Sequence, residues 1–150
     1  MSGKNIEYRK IDGEPIDEKE MQKSIDLLHE YLDEFISKDA LTEDVKYCFS
    51  KGRVVGAYHE KELIGVVVGV YTSFFDKFHI GHIAVKEKFQ GKGIGSELTE
   101  KVIQEDVGAS VHLNIGNPEV EKFYKKIGFQ QTHKRFKRTS KKSDNLKPSD

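Results

Sequence analysis

The apolar residues in the first third of the chain recur with a helical period. Asp17 and Glu20 have the spacing of a capping-box variant, which predicts the start of a helix. Spacings of 4, 3, 4 and 3 separate the apolar residues that follow, and these form one stripe: Met21, Ile25, Leu28, Leu32 and Phe35. A second helix is predicted to follow Thr42 and to end at Gly52.

The middle of the chain alternates apolar segments with short polar links, which is typical of strands. Residues 53–58 and 63–71 are separated by four polar residues, so they are predicted to form an antiparallel hairpin. The remaining strands are predicted at 6–11, 79–85, 110–115 and 129–136. One further helix is predicted to follow the glycine-rich segment 90–95 and to run to about residue 106, and another to cover 118–127. This order predicts an α/β (α+β) fold, with a mixed, mostly antiparallel sheet and helices on both faces.

Composition and charge exclude several classes of protein. The 150 residues include 25 basic and 25 acidic side chains, and this balance argues against a dedicated nucleic-acid binder. The longest apolar run, 63–71, is shorter than the ~20 residues of a membrane span. The first residues carry no apolar signal segment, so we expect a cytoplasmic protein with no membrane or nucleic-acid partner. The single cysteine, Cys48, excludes an internal disulfide and a cysteine-based metal site.

The charges are unevenly distributed along the chain. Residues 1–40 carry a net charge of −5, and residues 133–150 carry +5. We expect a single domain over 1–136 and a flexible basic tail over 137–150. The polar side of the first predicted helix carries four carboxylates: Asp26, Glu30, Asp33 and Glu34. They form either an ordinary solvated face or a surface that attracts a cationic substrate.

Three alternate glycines lie between a predicted strand and a predicted helix. Gly91, Gly93 and Gly95 allow positive φ and close approach to the backbone, and the helix start offers free N–H groups. This pattern indicates a phosphate or diphosphate cradle, to which Lys92 adds a charge, although a plain glycine-rich turn is the alternative. A P-loop sequence is absent, and Ser96 stands where a dinucleotide-binding fingerprint has its last glycine.

The same segment resembles a known cofactor motif. Gln90-x-x-Gly93-x-Gly95, after the strand 83–85, resembles the acetyl-CoA diphosphate loop of the GNAT superfamily of N-acetyltransferases. The later stretches 113–117 and 123–129 resemble the second cofactor motif of that family. The resemblance implies a GNAT-like sheet of six to seven strands and acetyl-CoA as the cofactor.

The resemblance also assigns cofactor-binding roles. Gln90 would open the loop, and Ile83 and Val85 would pair with the pantetheine arm as an added strand would. Asn117 would contact pantetheine, and it is also a good helix N-cap. The backbone amides that would hold the diphosphate belong to consecutive residues: Gly91, Lys92, Gly93, Ile94, Gly95 and Ser96.

Two residues are the catalytic candidates. In enzymes of the family that this sequence resembles, a tyrosine at the position of Tyr124 protonates the coenzyme thiolate, although a core tyrosine beside Phe129 is the alternative. His79 stands where family members often have a glutamate base, and the base is otherwise a water chain. Strict two-residue alternation predicts that His79 shares a face with Ile83 and Val85.

The same alternation predicts that His82 points to the opposite face, which argues against a metal at the two histidines. The predicted function is therefore transfer of an acetyl group from acetyl-CoA to a primary amine of a small molecule, polyamine or peptide. An acyl-CoA-binding sensor without activity is the alternative. The edge strand predicted at 129–136 makes a homodimer plausible.

Overall fold

A computed structural model describes residues 5–34, 36–72, 77–103, 110–113, 122, 124–126 and 128–130. The chain divides into two compact units, residues 1–114 and residues 115–150, and each is described by itself. Within the described parts of the chain, no helix is both long and apolar enough to span a bilayer.

Two capped helices follow the first strand of the larger unit. Helix α1 covers Glu18–Leu32, and the side chain of Asp17 accepts a hydrogen bond from the Glu20 amide at 3.2 Å, as the capping pattern predicts. Helix α2 covers Lys38–Lys51 and ends before Gly52. The prediction that α2 follows Thr42 is wrong because Ser37 caps the helix, accepting from the Ala40 amide at 3.1 Å.

In the part of the chain that the structure describes, five strands form one sheet in the order β1-β2-β3-β4-β5. The strands are β1 Ile6–Lys10, β2 Arg53–His59, β3 Glu62–Thr72, β4 Lys77–Val85 and β5 Ser110–Leu113. Neighbouring strands pair antiparallel except β4 and β5, which pair in parallel. The predicted hairpin, β2–β3, is confirmed, and so is the mixed, mostly antiparallel fold class.

The C-terminal predictions lie mainly outside the described residues. Helix α3 covers Ile94–Ile103, and residues 104–109, which include the predicted end of this helix, are not described. In the smaller unit, Lys122 and residues 124–126 are helical, while Phe129 and Gln130 are not part of a strand. The rest of the predicted strand at 129–136 and the basic tail at 137–150 are not described.

The helices cover both faces of the sheet. One core cluster joins α1 and α2 to the sheet through Val54, Val66 and Val68, among others. Gly65, directly before Val66 on β3, points to the other face of the sheet, since a Cβ added there would lie 3.2 Å from a methyl group of Leu98 in α3. This arrangement confirms the prediction of helices on both faces.

A β-bulge in β4 changes which side chains share a face. Val68 lies opposite His82, but Gly69 lies opposite Ile80, so Gly81 is the extra residue. His79 then lies opposite Val70, which packs against the same α1–α2 cluster as Val68. Because directly opposed residues point to the same side, the two histidines share the α1–α2 face.

The prediction that His79 and His82 face opposite sides is therefore wrong. So is the prediction that His79 shares a face with Val85, whose side chain lies 3.4 Å from the Cβ position of Gly65 on the α3 side. The physical reason is the single extra residue at Gly81. It shifts the alternation of side chains before the bulge by one position relative to the alternation after it, so the two histidines come to the same face.

Candidate cofactor and acceptor site

The glycine loop, residues 90–96, connects β4 to α3 through a short 3-10 turn at Glu87–Phe89. Gly91 has φ +79° and Gly93 has φ +86°, and among the described residues no atom beyond the two chain neighbours lies within 4 Å of a Cβ built on either. A side chain there would be strained by the backbone rather than by a neighbour. Gly95 lies in the first turn of α3.

The start of α3 faces the loop with free donor groups. The carbonyl of Gly93 accepts the first helical bond, from the Glu97 amide at 3.1 Å. The amides of Ile94, Gly95 and Ser96 therefore lie in the first turn of the helix, where backbone N–H groups have no hydrogen-bond acceptor within the helix. These amides and the positive end of the helix dipole suit a diphosphate, and Lys92 is exposed beside them.

The loop and the 3-10 turn before it are attached to the sheet and to α1 by two side chains. Gln90 Nε2 donates to the carbonyl of Val85 at 2.8 Å, so this side chain closes the loop onto the end of β4. The amide of Glu87 donates to the hydroxyl of Tyr31 in α1 at 2.7 Å. Sequence reasoning missed Tyr31, because no local pattern relates it to a residue 56 positions away.

Ile83 and Val85, the predicted pantetheine-binding residues, lie in the half of β4 that leads into the loop. Lys77–Ile80 of β4 pair with Ser110–Leu113 of β5. Ile83 and Val85 follow that segment, and both are half-buried. Their position along β4 is compatible with a ligand strand beside this part of the sheet.

The histidine face is the part of β4 that presents His79 and His82 to the α1–α2 side. His82 Nε2 lies 2.9 Å from Oδ2 of Asp44 in α2, and the His82 side chain is 19% exposed. His79 is half-buried. Among the described residues, no three histidine, cysteine, aspartate or glutamate side chains gather as a metal site requires.

The four carboxylates predicted on the polar side of α1, at positions 26, 30, 33 and 34, are all exposed. Asp26 and Glu30 also line a cavity of about 440 Å³ that reaches Lys86 at the end of β4. Glu62 lies in the same cavity, and its hydrogen bond with Lys86 at 2.8 Å lowers the pKa of its carboxyl. The cavity therefore has mixed charge, and the acidic character predicted for this side is partly neutralised by lysines.

Tyr124 lies in the smaller unit and is buried. Its ring meets that of Phe129 edge-on, with centroids 5.5 Å apart, and its carbonyl accepts from the Phe129 amide at 2.9 Å. Gly128, with φ +106°, makes the turn between them. Asn117 lies outside the described residues, and its predicted role stays a prediction.

The chain belongs to the acetyltransferase (GNAT) domain family, whose model matches residues 14–140. It is an acyl-CoA-dependent N-acetyltransferase that uses acetyl-CoA as its cosubstrate, which confirms the family and cofactor predictions. No curated protein sequence matches the chain.

Solved structures with the same fold are distant in sequence. An aminoglycoside N-acetyltransferase, AAC(6')-Iy, solved in complex with CoA, is 16% identical, with a TM-score of 0.69 over 90% of this chain and 94% of that one. An aminoglycoside acetyltransferase from an uncultured soil metagenomic sample, solved with sisomicin, is 14% identical, with a TM-score of 0.68 over 93% and 99%. A ribosomal-protein-alanine N-acetyltransferase from Brucella melitensis biovar Abortus 2308 is 15% identical, with a TM-score of 0.69 over 90% and 99%.

Proposed function

We propose that this protein transfers the acetyl group of acetyl-CoA directly to a primary amine, within one catalytic domain over residues 1–136. The observation that carries the proposal is the glycine loop, where two positive-φ glycines precede the first turn of α3. The loop offers backbone donors to an anion, and the family fixes acetyl-CoA as the cosubstrate.

On the cofactor side, the amides from Gly91 to Ser96 bind the diphosphate and Lys92 contributes its charge. Gln90 acts through its bond to Val85, which holds the loop against β4. Ile83 and Val85 bind the pantetheine arm through their backbone groups, and Asn117 contacts it as well. An amide of this strand also polarises the thioester carbonyl and stabilises the oxyanion.

On the chemical side, an amine of pKa ~10 must lose a proton before it attacks the thioester carbon. His79 accepts that proton. The amine adds to the thioester carbon to give a tetrahedral oxyanion. When this intermediate collapses, the C=O bond re-forms, the C–S bond breaks and Tyr124 gives its hydroxyl proton to the leaving thiolate. Because a thiol has a pKa of ~8.5, its thiolate leaves readily and the acid contribution is modest.

We propose that the acceptor is a cationic amine, such as a polyamine, an aminoglycoside or a basic peptide. The exposed carboxylates of α1 support this choice, although the lysines of the adjacent cavity weaken their field. Two similar structures are aminoglycoside acetyltransferases, one of them solved with sisomicin. A third is named as an acetyltransferase of a ribosomal protein, so a protein amine belongs in the same test.

A panel of amines tests the proposal. Spermidine, sisomicin and a peptide with a free N-terminal alanine are each incubated with acetyl-CoA, and the released thiol is measured. We expect thiol release with at least one amine and the matching acetylated product by mass spectrometry. Binding of acetyl-CoA in a thermal-shift titration without acetylation of any amine would favour the sensor alternative. No thermal shift at millimolar acetyl-CoA would contradict the cofactor site itself.

A further inference from the structure

Strand β1 lies at one end of the sheet and, among the described residues, has a neighbouring strand on one side only. Its pairing with β2 shows which backbone groups remain. The Ile11 amide donates to the carbonyl of Val54 at 2.9 Å, and these two positions continue the β1–β2 register. Because hydrogen-bonded positions alternate along an antiparallel pair, every second residue before Ile11 also bonds to β2. The free edge of β1 therefore consists of the outward N–H and C=O groups of the residues between them: Ile6, Tyr8 and Lys10.

The side chains of β1 divide between the two faces of the sheet. Glu7 and Arg9 lie on the α1–α2 face, where the Arg9 guanidinium is 3.9 Å from the centroid of the Tyr58 ring. The two charges contact each other at 3.3 Å, and the Glu7 and Arg9 side chains are 66% and 44% exposed. Tyr8 lies on the other face, where the ammonium group of Lys101 in α3 is 5.6 Å from its ring centroid. Both charged side chains of β1 therefore have surface available for a further contact.

The order of these residues makes the free edge of β1 complementary to a second copy of itself. When two such strands pair antiparallel with Tyr8 at the centre, the two Tyr8 residues lie opposite each other and Ile6 lies opposite Lys10. All of these positions carry outward backbone groups, so two hydrogen bonds form at each opposed pair. Glu7 of each copy then lies opposite Arg9 of the other, at the non-hydrogen-bonded positions where Cα atoms are only ~4.5 Å apart.

The same two charges exclude the neighbouring registers. A shift of the pairing by two residues in one direction places Glu7 opposite Glu7 of the other copy, and the reverse shift places Arg9 opposite Arg9. Like charges directly opposite each other destabilise a strand pair. A shift by one residue brings outward backbone groups opposite positions that already bond to β2. Charges on an edge strand usually prevent pairing, but these charges allow one register.

We propose that the free edge of β1 is the contact surface of a homodimer, in which the sheets of two copies join antiparallel about Tyr8. The dimer does not depend on the proposed function, because none of its contact residues belongs to the glycine loop or the histidine face. Its two-fold axis is perpendicular to the joined sheets, so the α1–α2 faces of both copies lie on the same side. Because the paired strands are short, we expect a small contact that dissociates at micromolar concentrations.

Charge reversal on β1 tests this contact. Glu7→Arg gives positions 7 and 9 the same positive charge, and Arg9→Glu gives them the same negative charge, so each variant alone opposes like charges. Analytical ultracentrifugation over micromolar concentrations should show a wild-type dimer, with a dissociation constant raised about 30-fold in either variant. An equimolar mixture of the two variants restores opposite charges at every opposed pair. The mixture should therefore form a heterodimer with nearly the affinity of wild type.

Two controls separate this contact from a general effect of charge. Glu43→Arg, at an exposed position of α2, changes the net charge as Glu7→Arg does and should leave the dissociation constant unchanged. A double variant, Glu7→Arg with Arg9→Glu, exchanges the two charges and should dimerise as wild type does. Circular dichroism establishes that each variant is folded.

Three results would overturn the dimer through β1. The first is a wild type that stays monomeric over the whole concentration range. The second is a dimer that neither reversal weakens more than Glu43→Arg does, because the copies would then meet on another surface, such as the strand predicted at 129–136. The third is a mixture of the two reversed variants that dimerises no better than each variant alone, because the two charges would then not face each other across the contact.

Discussion

The histidine face lies within β4, the glycine loop follows that strand, and the two are built on different principles. The loop relies on backbone amides and two positive-φ glycines, all within seven consecutive residues. The histidine face relies on side chains from β4 and α2 that are 38 positions apart in sequence. Every acetyl-CoA molecule carries the same diphosphate, whereas the acceptor amine differs from one acetyltransferase to another. A diphosphate site made of backbone amides beside an acceptor site made of side chains therefore suits an acetyltransferase.

The largest predicted effect is on the backbone cradle. A Gly93→Val substitution places a β-branched residue at φ +86°, which costs about 1–2 kcal/mol and turns the amides away from the diphosphate. Loss of one or two charge-assisted hydrogen bonds should weaken acetyl-CoA binding about 100-fold in calorimetric titration. Gly13→Val is the control, since Gly13 has φ +114° and open space around its Cβ position. It should lower the melting temperature similarly and leave the affinity for acetyl-CoA unchanged.

The next effect separates chemistry from binding. Tyr124→Phe removes the hydroxyl and keeps the ring that packs 5.5 Å from Phe129. We expect kcat to fall about 30-fold, just below the usual range for a general acid because the thiolate is a good leaving group. The affinity for acetyl-CoA should stay the same. Tyr47→Phe, on the exposed side of α2, is the control, and equal turnover in the two variants would remove the acid role from Tyr124.

A smaller effect tests the connection between α1 and the loop. Tyr31→Phe removes the acceptor of the Glu87 amide, a bond whose net contribution is about 1 kcal/mol. Acetyl-CoA binding should weaken about 5-fold, in line with that free energy. The same calorimetric titration measures it, and an unchanged affinity would show that the loop holds its shape without α1.

The smallest effect concerns the exposed charges of α1. Glu30→Gln should raise KM for a cationic amine about 2-fold at low salt and less at high salt, because exposed charges contribute at most ~1 kcal/mol and are screened. Glu43→Gln, exposed on α2, is the control. An equal change in both variants would mean that net charge, rather than the carboxylates of α1, attracts the amine.

A further prediction concerns Cys48, whose side chain is buried in the core cluster near the end of α2. Burial is the main factor that raises the pKa of its thiol to about 12, so the thiolate is scarce near neutral pH. Iodoacetamide should therefore modify the native protein slowly at pH 8 and the unfolded protein rapidly, as mass spectrometry would measure. Fast modification of the native protein would contradict a buried, protonated thiol.

The difference between the two regions also explains what the sequence could predict. The loop, α1 and the β2–β3 hairpin depend on neighbouring residues, so local patterns located them. The start of α2 was missed because Ser37 rather than Thr42 accepts the capping bond. The face of His79 was wrong because Gly81 has no partner on β3, and only the pairing of the two strands reveals an extra residue. The Asp44–His82 and Tyr31–Glu87 contacts join distant segments, which no periodicity can show.

The most direct measurement compares acetyl-CoA with S-acetylpantetheine, which has the same thioester and arm but lacks the diphosphate and the 3′-phosphoadenosine attached to it, so the Gly93→Val variant is needed to assign the diphosphate part of the difference. If the glycine loop binds the diphosphate, wild type should bind acetyl-CoA about 100-fold more tightly than S-acetylpantetheine in calorimetric titration. Gly93→Val should remove most of that difference, and Gly13→Val should preserve it. Equal affinities of wild type for the two ligands, or a difference that Gly93→Val leaves intact, would contradict the assignment of the loop.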